Sequence, residues 1–227
     1  MSPPLTSNVC IRQPVLADPL GAFPVPNILD YPTRATRIAK YTGNLTYVIE
    51  PGVYIGGIEI GGSAHVIMNP GVYYLSGGGL DISGNASVTG NGVMIYSGSK
   101  PGKTGDADEV LIDTSGTVIL SPATSGLYTG MTIFMERDSD EVVVVKPSNA
   151  GQCASTAAAG EPQGCIGGIS GTVYAPHPDA TVVVKASGTA NLQVISGKML
   201  IQNGNTARFT YKSGFATETL YLYELIE

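Results

Sequence analysis

Hydrophobic residues in this chain fall in short bursts cut apart by Gly, Asn and Ser. In Ile58-Glu59-Ile60 and Leu80-Asp81-Ile82 they alternate with a carboxylate, and Val93-Met94-Ile95 continues the series. Alternation with period two sends successive side chains to opposite faces of a strand. The bursts are too short for helices and are bounded by turn residues, so strands are predicted. More strands are expected at Val110 to Ile112, Thr117 to Leu120, Met131 to Met135 and Val142 to Val145. After Ile169 the pattern resumes at Thr172 to Tyr174, Thr181 to Val184, Leu192 to Ile195 and Met199 to Ile201. Glycines at 56–57, 61–62 and 77–79 are expected to supply positive-φ corners where the chain turns.

The bursts also repeat. Pro51-Gly52-Val53-Tyr54 returns as Pro70-Gly71-Val72-Tyr73, an offset of 19 residues. Gly57-Ile58-Glu59-Ile60 and Gly62-Ser63-Ala64-His65-Val66 return as Gly79-Leu80-Asp81-Ile82 and Gly84-Asn85-Ala86-Ser87-Val88, an offset of 22. One such unit cannot bury its apolar face alone, whereas stacked units share a continuous core. The expected fold is therefore all-β, a right-handed parallel β-solenoid over residues 45–212. At about 20 residues a turn it holds roughly eight rungs and is about 40 Å long.

Two end segments do not share the repeat. Residues 1–44 carry Pro3, Pro4, Pro14, Pro19, Pro24, Pro26 and Pro32, which disfavour regular structure. The same stretch holds Val9, Ile11, Val15, Leu16, Leu20 and Phe23, too apolar for a free linker. An extended arm lying on a surface, its own or a neighbour's, fits both facts. Thr33 to Tyr41 is expected to form a helical turn that caps the first rung. Phe209, Tyr211 and Phe215 are suited to closing the far end. Residues 213–227 form a terminal strand in which Leu220, Leu222, Tyr223 and Leu225 make both faces apolar, so it wants cover on both sides. These ten apolar residues of arm and tail are the candidate subunit interface. Residues 97–109 and 146–165 read as loops thrown out of the repeat.

Only 13% of residues are charged and Trp is absent, so the surface is mostly small and neutral. That leaves little electrostatic repulsion against self-association. The net charge of -6, without a basic patch, argues against nucleic acid. No apolar run approaches the ~18 residues of a membrane span. The opening Met1-Ser2-Pro3-Pro4 lacks a signal-peptide pattern, which leaves a cytosolic protein or a trimmed mature chain. Cys153 and Cys165 flank an Ala-rich loop; a disulfide closing it would stabilise by about 3 kcal/mol and imply an oxidising compartment. Cys10 is then left over.

Several phrases, taken in order, resemble the Gly/Asn-rich region of TadG-like pilus-assembly and related bacterial surface proteins. They are Ala17-Asp18-Pro19-Leu20, Pro51-Gly52-Val53-Tyr54, Asn69-Pro70-Gly71-Val72-Tyr73-Tyr74, Ile82-Ser83-Gly84-Asn85-Ala86 and Thr89-Gly90-Asn91-Gly92-Val93. Ala123-Thr124-Ser125-Gly126-Leu127-Tyr128 with Gly130-Met131, and Gly171-Thr172-Val173-Tyr174-Ala175-Pro176, extend the likeness to about residues 17–202. The resemblance implies an extracellular or cell-surface location and no known chemistry. The membrane anchor and von Willebrand-like portion common in such proteins do not occur in this sequence, so a free-standing solenoid subunit is expected.

The residues themselves point away from catalysis. Lyases on parallel coils need clustered acids with His, Lys or Arg on one face. Here the acids sit mostly in turns, as Asp106, Asp108, Glu109 and Asp113, and as Glu136, Asp138, Asp140 and Glu141. The second group could offer oxygens to Ca²⁺, but no regular Ca²⁺ repeat accompanies it, so a solvated charged turn is expected. His65 and His177 lie outside any metal spacing. No catalytic, cofactor or metal site is expected. Asn44-Leu45-Thr46 and Asn85-Ala86-Ser87 match the glycosylation pattern. An ice-binding Thr ladder is not evident, since Thr117, Thr132, Thr172 and Thr181 are scattered along the chain. The leading expectation is a structural extracellular protein that polymerises with itself through its terminal segments or by end-on stacking. A displayed adhesin binding a surface glycan is the alternative, and a polysaccharide-cleaving enzyme comes third.

Overall fold

A computed structural model describes residues 18–146, 168–185, 188–202 and 207–209. Over these residues the chain is all-β with parallel pairing throughout. The strands are β1 (Thr33–Ala35), β2 (Ala39–Tyr41), β3 (Thr46–Ile49), β4 (Gly52–Ile55), β5 (Ile58–Ile60), β6 (His65–Met68) and β7 (Gly71–Ser76). Then come β8 (Leu80–Gly84), β9 (Ser87–Asn91), β10 (Val93–Gly98), β11 (Val110–Thr114), β12 (Val118–Ser121), β13 (Met131–Met135) and β14 (Val142–Val145). The last are β15 (Ser170–Ala175), β16 (Thr181–Lys185), β17 (Gly188–Ser196), β18 (Lys198–Gln202) and β19 (Ala207–Phe209).

Successive strands enter different sheets. An eight-stranded sheet runs β1-β4-β7-β10-β13-β15-β17-β19, a seven-stranded sheet runs β18-β16-β14-β11-β8-β5-β2, and a four-stranded sheet runs β12-β9-β6-β3. Pairing in parallel puts each side chain directly over its partner's, so rows of like character run across each sheet. One row is Ile60, Ile82, Ile112, Val145 and Val184. It belongs to a single apolar cluster that also takes Val66, Met68 and Val88 from the four-stranded sheet and Tyr73, Ile95, Ile133 and Val173 from the eight-stranded one. The core is thus shared by all three sheets.

The repeated Pro-Gly-Val-Tyr phrase turns out to be a corner rather than a register mark. β4 pairs with β7 as Gly52 with Tyr73 and Val53 with Tyr74, so the phrases are displaced by two residues in the ladder. What they share is local. Tyr54 donates to the Glu50 carbonyl at 2.7 Å, and Tyr73 to the Asn69 carbonyl at 2.9 Å, each four residues back. Tyr73 also donates to the Ile49 carbonyl. The slip sets the two rings side by side, stacked at 5.9 Å, with the bare Gly52 under Tyr73.

Corners are tight where glycines stack. At the turn from the eight- to the seven-stranded sheet, a Cβ on Gly57 (φ 82°) would lie 2.3 Å from the Gly79 carbonyl oxygen. One on Gly79 would lie 1.7 Å from that of Glu109. Of the expected positive-φ corners, Gly56, Gly57, Gly62 and Gly77 have that conformation, Gly78 and Gly79 are reserved by close backbone approach instead, and Gly61 shows neither constraint.

Thr33 to Tyr41 is not helical. It forms β1 and β2, paired through Thr33 with Val53 and Ala39 with Ile58. Helix preference of Ala, Arg and Lys is worth only tenths of a kcal/mol per residue, less than a ladder partner and a half-buried face supply. Strand pairing among the described residues therefore begins at Thr33, inside the segment expected to be an arm. A 3-10 turn, Ile28–Asp30, is started by Asn27, whose side chain accepts from the Leu29 amide.

Gly79→Ala should destabilise by roughly 1–3 kcal/mol, because the added methyl meets backbone rather than a side chain that can move. A lowered thermal midpoint by circular dichroism is the expected result.

Candidate functional site

The three outer faces differ in what covers them. On the eight-stranded sheet the row facing away from the core is Val53, Tyr74, Tyr96, Phe134, Tyr174 and Ile195. Ring centroids are 4.8 Å apart for Tyr74 and Tyr96, 5.2 Å for Tyr96 and Phe134, and 4.9 Å for Phe134 and Tyr174. Such a row exposed to water would be a large sticky patch. It is instead covered by the strap formed by residues 18–31, through Leu20, Phe23, Ile28 and Tyr31. Burial first of all pushes the Tyr96 and Tyr174 hydroxyls far above the usual tyrosine value.

Arg137 fastens the strap. Its Nη2 donates to the Leu20 carbonyl at 2.9 Å and to the Phe23 carbonyl at 2.8 Å. Its Nε donates to the Tyr174 hydroxyl at 3.2 Å and lies 3.8 Å from the Asp18 carboxylate. The guanidinium also sits over the Phe134 ring, 5.5 Å from its centre. Tyr174 in turn donates to Asp18. The strap's backbone bonds, such as Phe23 to the Leu20 carbonyl and Asp30 to the Asn27 carbonyl, close local turns, and side chains pack it on the sheet.

The seven-stranded sheet carries charge outward. Register stacks Lys40, Glu59 and Asp81 in one row, and Lys40 pairs with Glu59. Beside that row an open cleft of about 180 Å³ is lined by Ile38, Glu59, Asp81, Asp108, Glu109 and Leu111 among others. Burial, then the charges of Asp108, Glu141 and Asp81, raise the Glu109 carboxyl above the usual range. Further along, Asp113 accepts from Lys146 at 2.6 Å and from Lys185 at 3.1 Å. The Lys146 bond chiefly, then that of Lys185, holds the Asp113 carboxyl below the usual range. Among the described residues no group of three or more His, Cys, Asp or Glu is placed to hold a metal ion.

The four-stranded sheet has no cover among the described residues. Its outward rows are Thr46, His65, Ser87 and Thr117, then Val48, Ile67, Thr89 and Ile119, then Asn69, Asn91 and Ser121 beside Glu50. Val48, Ile67 and Ile119 are 60%, 44% and 37% exposed.

Core-facing positions at the outermost described strands are only partly covered. Met199 and Ile201 on β18 stack over Val182 and Val184, which are fully buried in the core. Met199 and Ile201 are nevertheless 43% exposed, and the outward Leu200 is 44% exposed. At the opposite end Ala35, Ala39, Tyr41 and Tyr47 are only partly buried against the same core. Among the described residues no strand pairs beyond β1, β2 and β3, or beyond β18.

Of the expected interface residues, Leu20 and Phe23 lie on their own chain's sheet, Leu20 buried and Phe23 packed on Tyr128 and Phe134. Val9, Ile11, Val15, Leu16, Leu220, Leu222, Tyr223 and Leu225 lie outside the described residues, as do Cys10, Cys153, Cys165, Tyr211 and Phe215. In the charged turn, the Glu136 carboxylate accepts from the Ser99 amide and hydroxyl, so it ties down the 99–109 loop. Arg137, read from sequence only as part of that turn, is the strap's anchor; the strap carbonyls that it binds are over a hundred positions away, so no local pattern marks it. His65 lies exposed on the four-stranded sheet, and His177 Nδ1 accepts from the Asp179 amide within a turn. Thr132 and Thr172 are buried, so neither can join an outward Thr ladder.

Comparison of the chain with family models, with curated proteins and with solved structures found no match. No helix among the described residues is long and apolar enough to cross a membrane.

Replacing Arg137 by Met should leave β content intact and free the strap. Loss of two charge-assisted bonds, worth about 1.5–3 kcal/mol each, raises the open population at least roughly tenfold. Faster cleavage within residues 18–31 under limited proteolysis is the expected readout. A carboxyl with a depressed folded value stabilises the fold above its unfolded value and loses that contribution as pH falls through the folded one. The stability gap between wild type and Asp113→Asn should therefore be present at neutral pH and close toward about pH 3, as followed by thermal midpoints.

Proposed function

We propose that this chain is a structural, self-assembling subunit: its three sheets are the faces of one right-handed parallel β-solenoid, and copies stack end on end into a filament at the cell surface. The β-solenoid reading is supported by the order in which strands visit the sheets. From β1 to β12 the chain enters the eight-, seven- and four-stranded sheets in strict rotation. Parallel crossovers in one sheet are right-handed in nearly all proteins.

The observation that carries the stacking reading is the uncapped core. Met199 and Ile201 point where core residues point, are 43% exposed, and have no layer above them among the described residues. Ala39 and Tyr41 have none below among the described residues. A second copy placed end on would lay β2 along β18, add ladder bonds and complete both cores. A head-to-tail contact of this kind does not close on itself and so generates fibres. Burying the remaining exposed part of Met199, Leu200 and Ile201 contributes roughly 1 kcal/mol each. That is less than the ~4–15 kcal/mol cost of association, so ladder bonds and the β1 and β3 edges must supply the rest. Assembly is accordingly weak and concentration-dependent. The sparse charge of the chain leaves little repulsion to oppose it.

Electron microscopy over a concentration series tests this. Wild-type protein should form uniform fibres above a threshold, and Ile201→Lys should remain as dispersed rods with unchanged far-UV circular dichroism. Dispersed wild-type rods at every concentration would sink the reading and leave a monomeric displayed module.

A further inference from the structure

The bare face of the four-stranded sheet remains unused by end-on stacking. Its middle row, Val48, Ile67, Thr89 and Ile119, is flat, exposed and without charge. Val, Ile and Thr are stiff at χ1, so this surface loses little side-chain entropy on contact. Polar groups flank it on both sides: Thr46, His65, Ser87 and Thr117 on one, and Asn69, Asn91 and Ser121 on the other, with the Glu50 carboxylate accepting from Asn69 at that row's end. An apolar centre with a polar rim is the anatomy of a protein contact.

The size of the face decides what kind of contact. Four strands spaced at about 4.8 Å, with outward positions spanning about 13 Å, give on the order of 250 Å². A stable pair of proteins buries about 800 Å² on each side. One copy therefore cannot hold a partner through this face. In a stack the face recurs once per copy at fixed spacing, and contacts made in parallel multiply without new chemistry. We propose that the four-stranded sheets are the lateral contact by which two stacks pair, each strip facing the same strip of a second stack about a two-fold axis, at the ~10 Å spacing of face-to-face sheets. The inference rests on the stacking reading above. It makes pairing a property of fibres and not of free subunits. It also assigns the three faces different duties: the aromatic face is closed by its own strap, the charged face keeps pairs soluble, and the bare face joins them.

Negative-stain microscopy of the full chain, comparing wild type with Ile67→Lys and, separately, Ile119→Lys, tests it. Both positions are exposed, so neither variant should disturb folding, which circular dichroism checks. The expected result is paired wild-type fibres and single fibres of either variant, since each substitution sets lysines of two strips face to face. Wild-type fibres that are always single would overturn the pairing and leave stacking intact. Pairs that survive both substitutions would place the contact on another face and overturn it too. Retention of wild-type rods, but not Ile67→Lys, on crystalline cellulose with no paired fibres would assign the strip to a polysaccharide surface and refute the pairing. Dispersed wild-type rods at all concentrations would remove stacking and pairing together.

Discussion

Parallel pairing at a fixed spacing places every side chain directly over that of its ladder partner, and the rest of this structure follows from that constraint. It favours rows such as Ile60, Ile82, Ile112, Val145 and Val184, because apolar stacks on apolar without cost. It is unforgiving to charge, since Asp81 is set beside Glu59. The seven-stranded sheet meets that difficulty at two places by supplying a cation in the next layer. Lys40 takes Glu59, and Lys146 with Lys185 takes Asp113. Around Glu109 no lysine intervenes, and its carboxyl is raised by burial and by acidic neighbours. The same constraint leaves the ends of the sheets open, because a row has no internal reason to stop.

What closes a row is therefore a separate device on each face. The aromatic row of the eight-stranded sheet would be insoluble if bare. A chain segment that lacks ladder geometry, rich in proline and held by side chains, lies across it. Proline suits this role because the strap must not compete for the sheet's own hydrogen bonds. Arg137 supplies directionality that apolar contact lacks, since two strap carbonyls converge on one guanidinium nitrogen. The four-stranded sheet has no such cover among the described residues, and its exposed Val48 and Ile67 are the cost.

Much of this was legible in the chain. The bursts at Ile58, Leu80, Val110, Val142 and Thr181 were all strands, because period-two alternation and turn glycines act over a few residues. The 22-residue offset was the true ladder register for β5 with β8 and β6 with β9. The 19-residue offset of the Pro-Gly-Val-Tyr phrase was not the register of β4 with β7, because the phrase repeats a tyrosine-to-carbonyl corner whose neighbours in space are set elsewhere. Thr33 to Tyr41 was misread because helix-favouring residues there find ladder partners some 20 positions ahead. The rows of the bare face were invisible in sequence, since Val48, Ile67, Thr89 and Ile119 share no local pattern.

The sequence by itself determined that this is an all-β chain of short strands, where it turns, and that charge would play a small part, because those properties rest on spacing, on glycine and on composition. Tertiary structure alone decided which residues share a row, that Arg137 anchors a strap more than a hundred positions away, and that core-facing residues on the outermost described strands are only partly covered. Registry between paired strands depends on how much chain lies between them, and that length varies from pair to pair, so only the folded sheets bring these side chains into line.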